Sequence, residues 1–152
     1  MDNSDKRAAP ELPARVFLVE DNPEHSSIAA KVLHQLLGEE SEIIVVENAD
    51  EALYLLHRFT EHDRPDLILI DLRLPDSRGL ELLSAARAHE ACAHVPILVI
   101  TSSLYDQDLA QSYQLGASAV LNKPLSRANL RDELVRIGSL APNSSRMRAT
   151  SH

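Results

Sequence analysis

The residues with the clearest chemical potential are polar groups placed at the ends of four short apolar runs. Leu67-Ile68-Leu69-Ile70 leads into Asp71, Val16-Phe17-Leu18-Val19 into Glu20-Asp21, Ile97-Leu98-Val99-Ile100 into Thr101-Ser102-Ser103, and Ala119-Val120-Leu121 into Asn122-Lys123-Pro124. Carboxylates brought to one place repel each other, and a small hard cation with oxygen ligands relieves that repulsion. Magnesium suits the set, since it accepts a few carboxylates, keeps several waters and commonly serves phosphate chemistry. Lys123 adds a compact positive charge and Thr101 a hydroxyl donor. Such a group of residues would let Asp71 take up a phosphoryl group. Asp71 would be the nucleophile, the metal would offset the transition-state charge, and Lys123 and Thr101 would hold the phosphoryl oxygens.

For these groups to meet, each apolar run must be a strand that ends on one edge of the same sheet. Runs this short and rich in Ile, Val and Leu read as strands buried on both faces of a parallel sheet. Segments of helical period lie between them. Asn22-Pro23 opens a helix over 23 to 37, with Ile28, Val32, Leu33, Leu36 and Leu37 on one stripe and Gly38 as its stop. Ile43 to Val46 is a second strand, and Ala52, Leu53, Leu55, Leu56 and Phe59 mark a helix over 49 to 60. Leu80, Leu82, Leu83 and Ala86 mark a third helix, Leu109 and Tyr113 a fourth, and Leu130, Leu134, Val135 and Ile137 a fifth. Five β-α repeats predict a doubly wound α/β fold, a parallel sheet with helices on both faces. With strand order 2-1-3-4-5, the first and third strands are neighbours at the switch point, and Glu20, Asp21 and Asp71 converge.

The 152 residues fit one domain, and 44% hydrophobic with 25% charged residues is a globular composition. A net charge of -8 speaks against nucleic acid as a partner. Cys92 is the sole cysteine, which excludes an internal disulfide and fits a reducing compartment. With no apolar leader and no run of membrane length, a cytoplasmic location without membrane contact is expected. Residues 1 to 13 and 139 to 152 lack period and read as a disordered lead and tail, the latter with Arg146 and Arg148. His89, Cys92 and His94 are close in sequence but lack a fourth ligand and read as a surface connection. His25 reads as an exposed helix residue.

Taken in this order, Glu20-Asp21, Asp71 with Pro75 and Gly79, Thr101-Ser102 and Lys123-Pro124 make residues 14 to 138 resemble the receiver domain of bacterial two-component response regulators. The resemblance is to stand-alone, chemotaxis-regulator-like members with a flavodoxin-like (βα)5 fold. It implies that Asp71 is the phosphoacceptor. Asp21 and Asp71 would bind magnesium with the backbone carbonyl of Arg73, and Glu20 would act through a metal-bound water. Thr101 would be the switch hydroxyl, with Ser102 and Lys123 also on the phosphoryl group. The Lys123-Pro124 bond would be cis, and Gly79 would take the backbone conformation that ends the loop before the third helix. The implied partners are a sensor histidine kinase or phosphotransfer protein and a downstream protein target, with onward relay as the other output.

This chain departs from the receiver pattern at several positions. Val120 stands where receivers often carry a Tyr or Phe that swings inward with the threonine. Output is therefore expected to rely on the Thr101 to Tyr105 loop and the fourth helix. Arg73 and Ser103 stand where receivers tune phosphoryl lifetime, and Arg78, in place of a common Asp, is expected to alter only loop surface. Ser112-Tyr113-Gln114-Leu115-Gly116-Ala117 and Glu20-Asp21-Asn22-Pro23 are similar to single-domain regulators paired with bacteriophytochrome kinases. That similarity implies a homodimer through the fourth helix, fifth strand and fifth helix. Two other classes fit the residues less well. A phosphatase of the haloacid dehalogenase type needs an acid two residues past the nucleophile, where this chain has Arg73, and a non-phosphorylated scaffold would not need the acidic pair, acceptor, threonine and lysine together. The chain reads as a switch, not an enzyme beyond its self-catalysed phosphorylation and dephosphorylation.

Overall fold

The computed structural model describes residues 13–75, 78–102 and 106–140. Strands and helices alternate from the first element: β1 Arg15–Val19, α1 Pro23–Leu37, β2 Glu42–Val46, α2 Ala49–Arg58, β3 Leu67–Asp71, α3 Arg78–Ala88, β4 Ile97–Thr101, α4 Asp106–Gln114, β5 Ala119–Asn122 and α5 Arg127–Arg136. All strand pairings are parallel, in the order β2-β1-β3-β4-β5. The fold is thus the flavodoxin-like doubly wound one expected.

Alternation along each strand explains the two cores. In β3, Ile68 and Ile70 face α2 and α3, while Leu67 and Leu69 face α1 and α5, and all four are fully buried. A strand with a helix on each side has no polar face, hence the unbroken apolar run. Helix α1 starts at Pro23, whose missing N–H costs nothing in the first turn, and Asn22 Oδ1 accepts from the N–H groups of Glu24 and His25. It stops at Gly38, with φ of 108°. Among the described residues no helix is long and apolar enough to cross a membrane.

Several details depart from expectation. Ile28, placed on the core stripe of α1, is 46% exposed, because it lines the open cavity beside Lys123 rather than the packed core. Cys92 does not sit on a surface connection: a short 3-10 turn over Glu90–Cys92 folds its thiol fully into the core. Leu140 is buried against the α1 and α5 core, and the Ser139 and Leu140 N–H groups donate to Leu134 O, so order runs past Gly138. Arg78 does more than alter loop surface, since it joins Asp50 of α2 at 3.1 Å to Glu81 of α3 at 2.6 Å. Tyr105, Ser103, the lead up to residue 12 and the tail from residue 141 lie outside the described residues.

Candidate functional site

The strand register delivers the expected polar groups to one edge. Val19 is level with Ile70, Asp71 with Ile100, and Thr101 with Asn122, so the residues that follow β1 and β5 emerge beside Asp71 and Thr101. Glu20, Asp21 and Asp71 each offer a carboxylate oxygen, all within 4.8 Å of one another. Glu20 and Asp71 are buried and Asp21 is exposed. A hard, all-oxygen donor set that is open to water on one side fits a magnesium-sized cation.

Lys123 balances this charge. Its Nζ lies 2.9 Å from Glu20 Oε1 and 3.2 Å from Asp71 Oδ2, with 2% and 4% of those side chains exposed. Burial pushes the Glu20 carboxyl up to about 7; the bond from Lys123 opposes this and the neighbouring Asp71 adds to it. Burial works against the Lys123 charge, yet Glu20 and Asp71 outweigh it and hold the ammonium above the usual lysine range. The Lys123-Pro124 peptide bond is cis. Lys123 N donates to Thr101 O at 2.7 Å, which fastens the β5 end to the β4 end.

The loop after Asp71 is tied to the carboxylate itself. Arg73 N donates to Asp71 Oδ1 at 2.9 Å, and the Arg73 guanidinium reaches Asp108 of α4 at 2.6 Å. Gly79 requires a correction: it does not end the loop but lies inside the first turn of α3, with no positive φ. A Cβ there would stand 2.6 Å from Asp71 O and 2.7 Å from Leu72 O. Close approach of helix to strand, rather than unusual backbone, demands glycine at this position.

Thr101 is buried at the end of β4 and Ser102 is exposed beside it. Val120 is half-buried and packs against the α2 and α3 core. A cavity of about 270 Å³ opens next to the lysine, with Ile28, Ala29, Ile100 and Leu125 as its apolar wall and Glu20, His25, Ser102 and Lys123 at its polar end. His25, read from sequence as a plain exposed residue, places Nδ1 2.9 Å from Lys123 Nζ. Only the meeting of the α1 start with the β5 end shows this contact.

A model of the response regulator receiver domain matches residues 16–135. The probable methanogenesis regulatory protein FilR2 of Methanothrix harundinacea is 35% identical over 123 residues, which covers 80% of this chain and 79% of that protein. The bacteriophytochrome response regulator AtBRR superposes with a TM-score of 0.69 at 32% identity, covering 86% of this chain and 96% of that one. The receiver domain of sensor histidine kinase PA1611 of Pseudomonas aeruginosa PAO1, with a magnesium ion coordinated in its active site cleft, gives a TM-score of 0.69 at 32% identity, covering 84% and 99%. The matched stretch runs from the second residue of β1 into the last turn of α5 and so takes in every element that builds this sheet edge: the chain belongs to the response regulator receiver domains of two-component signalling.

Proposed function

We propose that Asp71 takes a phosphoryl group from the phosphohistidine of a sensor histidine kinase or phosphotransfer protein, and that the modified domain then signals by binding a protein target or by onward relay. The observation that carries this reading is the Lys123 ammonium bridging Glu20 and Asp71 beside carboxylate oxygens gathered within 4.8 Å. An Asp71 oxygen forms the new O–P bond while the P–N bond to the donor imidazole breaks and its electron pair leaves on the ring nitrogen. Lys123, Thr101 and Ser102 present N–H and O–H donors to the phosphoryl oxygens. Asp21 and Asp71, the Arg73 carbonyl, and Glu20 through a water would hold magnesium, which when bound offsets the charge of the transferring group.

The modified side chain gains charge of about -1.5 to -2 by analogy with phosphate esters. With Val120 in place of an aromatic, that charge acts through the Thr101 to Tyr105 loop and α4. Arg73 engages Asp108 and supplies no acid two residues past Asp71, which favours a switch over a phosphatase. The similarity to a bacteriophytochrome response regulator supports a phytochrome kinase as the donor, and exposed Tyr113 on α4 supports a homodimer through α4, β5 and α5. Formation of phosphohistidine from ATP supports a cytoplasmic location for the reaction.

Intact mass after acetyl phosphate treatment tests the reading. Wild type gains one phosphoryl group, about 80 Da, only with magnesium, and Asp71→Asn gains none. Equal gain by Asp71→Asn, or no gain together with no beryllofluoride binding, would overturn it.

A further inference from the structure

Lys123 carries three ammonium protons and faces three acceptors: Glu20 Oε1 at 2.9 Å, His25 Nδ1 at 2.9 Å and Asp71 Oδ2 at 3.2 Å. An ammonium only donates, so the His25 lone pair stands on Nδ1 and the ring proton on Nε2. The three acceptors are not equivalent. Glu20 and Asp71 are buried carboxylates, and a lysine that left either one would leave an unpaired charge behind. His25 is an uncharged acceptor whose side chain is 44% exposed, so water can take the place of the lost bond.

We infer that His25 is a positioning residue for phosphoryl transfer: it holds the third N–H of Lys123 in place and yields it to the phosphoryl oxygens as they arrive. The inference rests on the reading of Asp71 as phosphoryl acceptor. Local structure makes His25 suited to the role. Its backbone N–H is fixed by Asn22 Oδ1 at the start of α1, so the imidazole is held by a capped first turn rather than by a loop. The lysine gains from such a guide, because a four-carbon stem has many rotamers and each further acceptor on the ammonium narrows the set that the stem can take. The third acceptor keeps the stem in one arrangement and aims the N–H that is to be passed on, and a donor already held near the reacting geometry costs less reorganisation when charge arrives.

The test uses the full chain with magnesium and a series of acetyl phosphate concentrations, following phosphorylation by intact mass. Wild type, His25→Ala and His25→Asn are compared in the native background and with Lys123→Met. The lost positioning of the ammonium predicts a maximal rate about 3- to 10-fold lower in His25→Ala, with the half-saturating acetyl phosphate concentration unchanged. His25→Asn recovers most of the rate, since an Asn Oδ1 comes close to the position of the imidazole Nδ1. With Lys123→Met, the His25→Ala change makes no difference; where that background is too slow to follow, beryllofluoride affinity by calorimetry supplies the same comparison. An equal effect of His25→Ala with and without the lysine would overturn the inference, as would wild-type rates in His25→Ala. Absence of phosphorylation and of beryllofluoride binding in wild type would overturn the reading of Asp71 itself, and the inference with it.

Discussion

Lys123 Nζ and Glu20 Oε1 stand 2.9 Å apart at a place where Glu20 is 2% exposed, yet the Glu20 carboxyl is pushed up from an ordinary 4.5 to about 7. Between those two values the folded chain binds more protons at Glu20 than the unfolded chain does. The stabilisation from this group is therefore complete below about 4.5 and is lost as pH rises through about 7. In metal-free buffer, the urea midpoint of wild type should fall across that window and that of Glu20→Gln should fall less. Parallel declines would assign the titration to another group.

Gly79→Ala should destabilise the fold by about 1 to 3 kcal/mol, since overpacking here moves backbone rather than a flexible side chain. Urea unfolding measures the loss. Phosphorylation should slow in the same variant, because the added methyl presses on the carbonyl of Asp71. An unchanged midpoint would show that α3 can shift away freely.

The ion pair between Arg73 and Asp108 is half-exposed, so Arg73→Ala should cost less than about 1 kcal/mol. Its effect should instead be local, with faster amide hydrogen exchange in α4 than in wild type and no change in α2. Reversal of the pair by Arg73→Asp with Asp108→Arg should restore slow exchange. Unaltered α4 exchange in Arg73→Ala would mean that the pair does not hold the helix.

Ser112 Oγ, fully buried on α4, has no hydrogen-bond partner among the described residues. Ser112→Ala removes the unsatisfied hydroxyl and should raise stability by about 1 kcal/mol. A lower urea midpoint would show that the hydroxyl is bonded after all.

The strand ends are legible because burial on both faces leaves an unbroken apolar run, and the first one or two polar residues after it mark the sheet edge. That is how Glu20, Asp71, Thr101 and Lys123 can be placed together from sequence. Helical stripes are a coarser guide: Ile28 has the period of Leu36 but lines an open cavity instead of the core. Polar neighbours hide Cys92, since His89, Glu90 and His94 suggest surface while a single 3-10 turn buries the thiol between them. Arg87 lies in the last turn of α3, in no motif of the sequence. In the fold it donates to the carbonyls of Val95 at 2.6 Å and Gly116 at 2.8 Å, and burial pulls its pKa below the usual arginine value. His25 on Lys123 is a contact across 98 residues that no local pattern encodes.

The strand order gives Lys123 a mechanical part as well. β5 borders β4 and nothing further inward, yet the lysine that follows β5 grips carboxylates at the ends of β3 and β1. It acts as a tie-rod between strands that share no backbone ladder, strung along the open rim of the sheet. On the reading of Asp71 as acceptor, an anion arriving there would take up part of that grip and loosen the hold of β5 on the inner strands. The rim would then register a loaded acceptor without any ring having to swing at Val120.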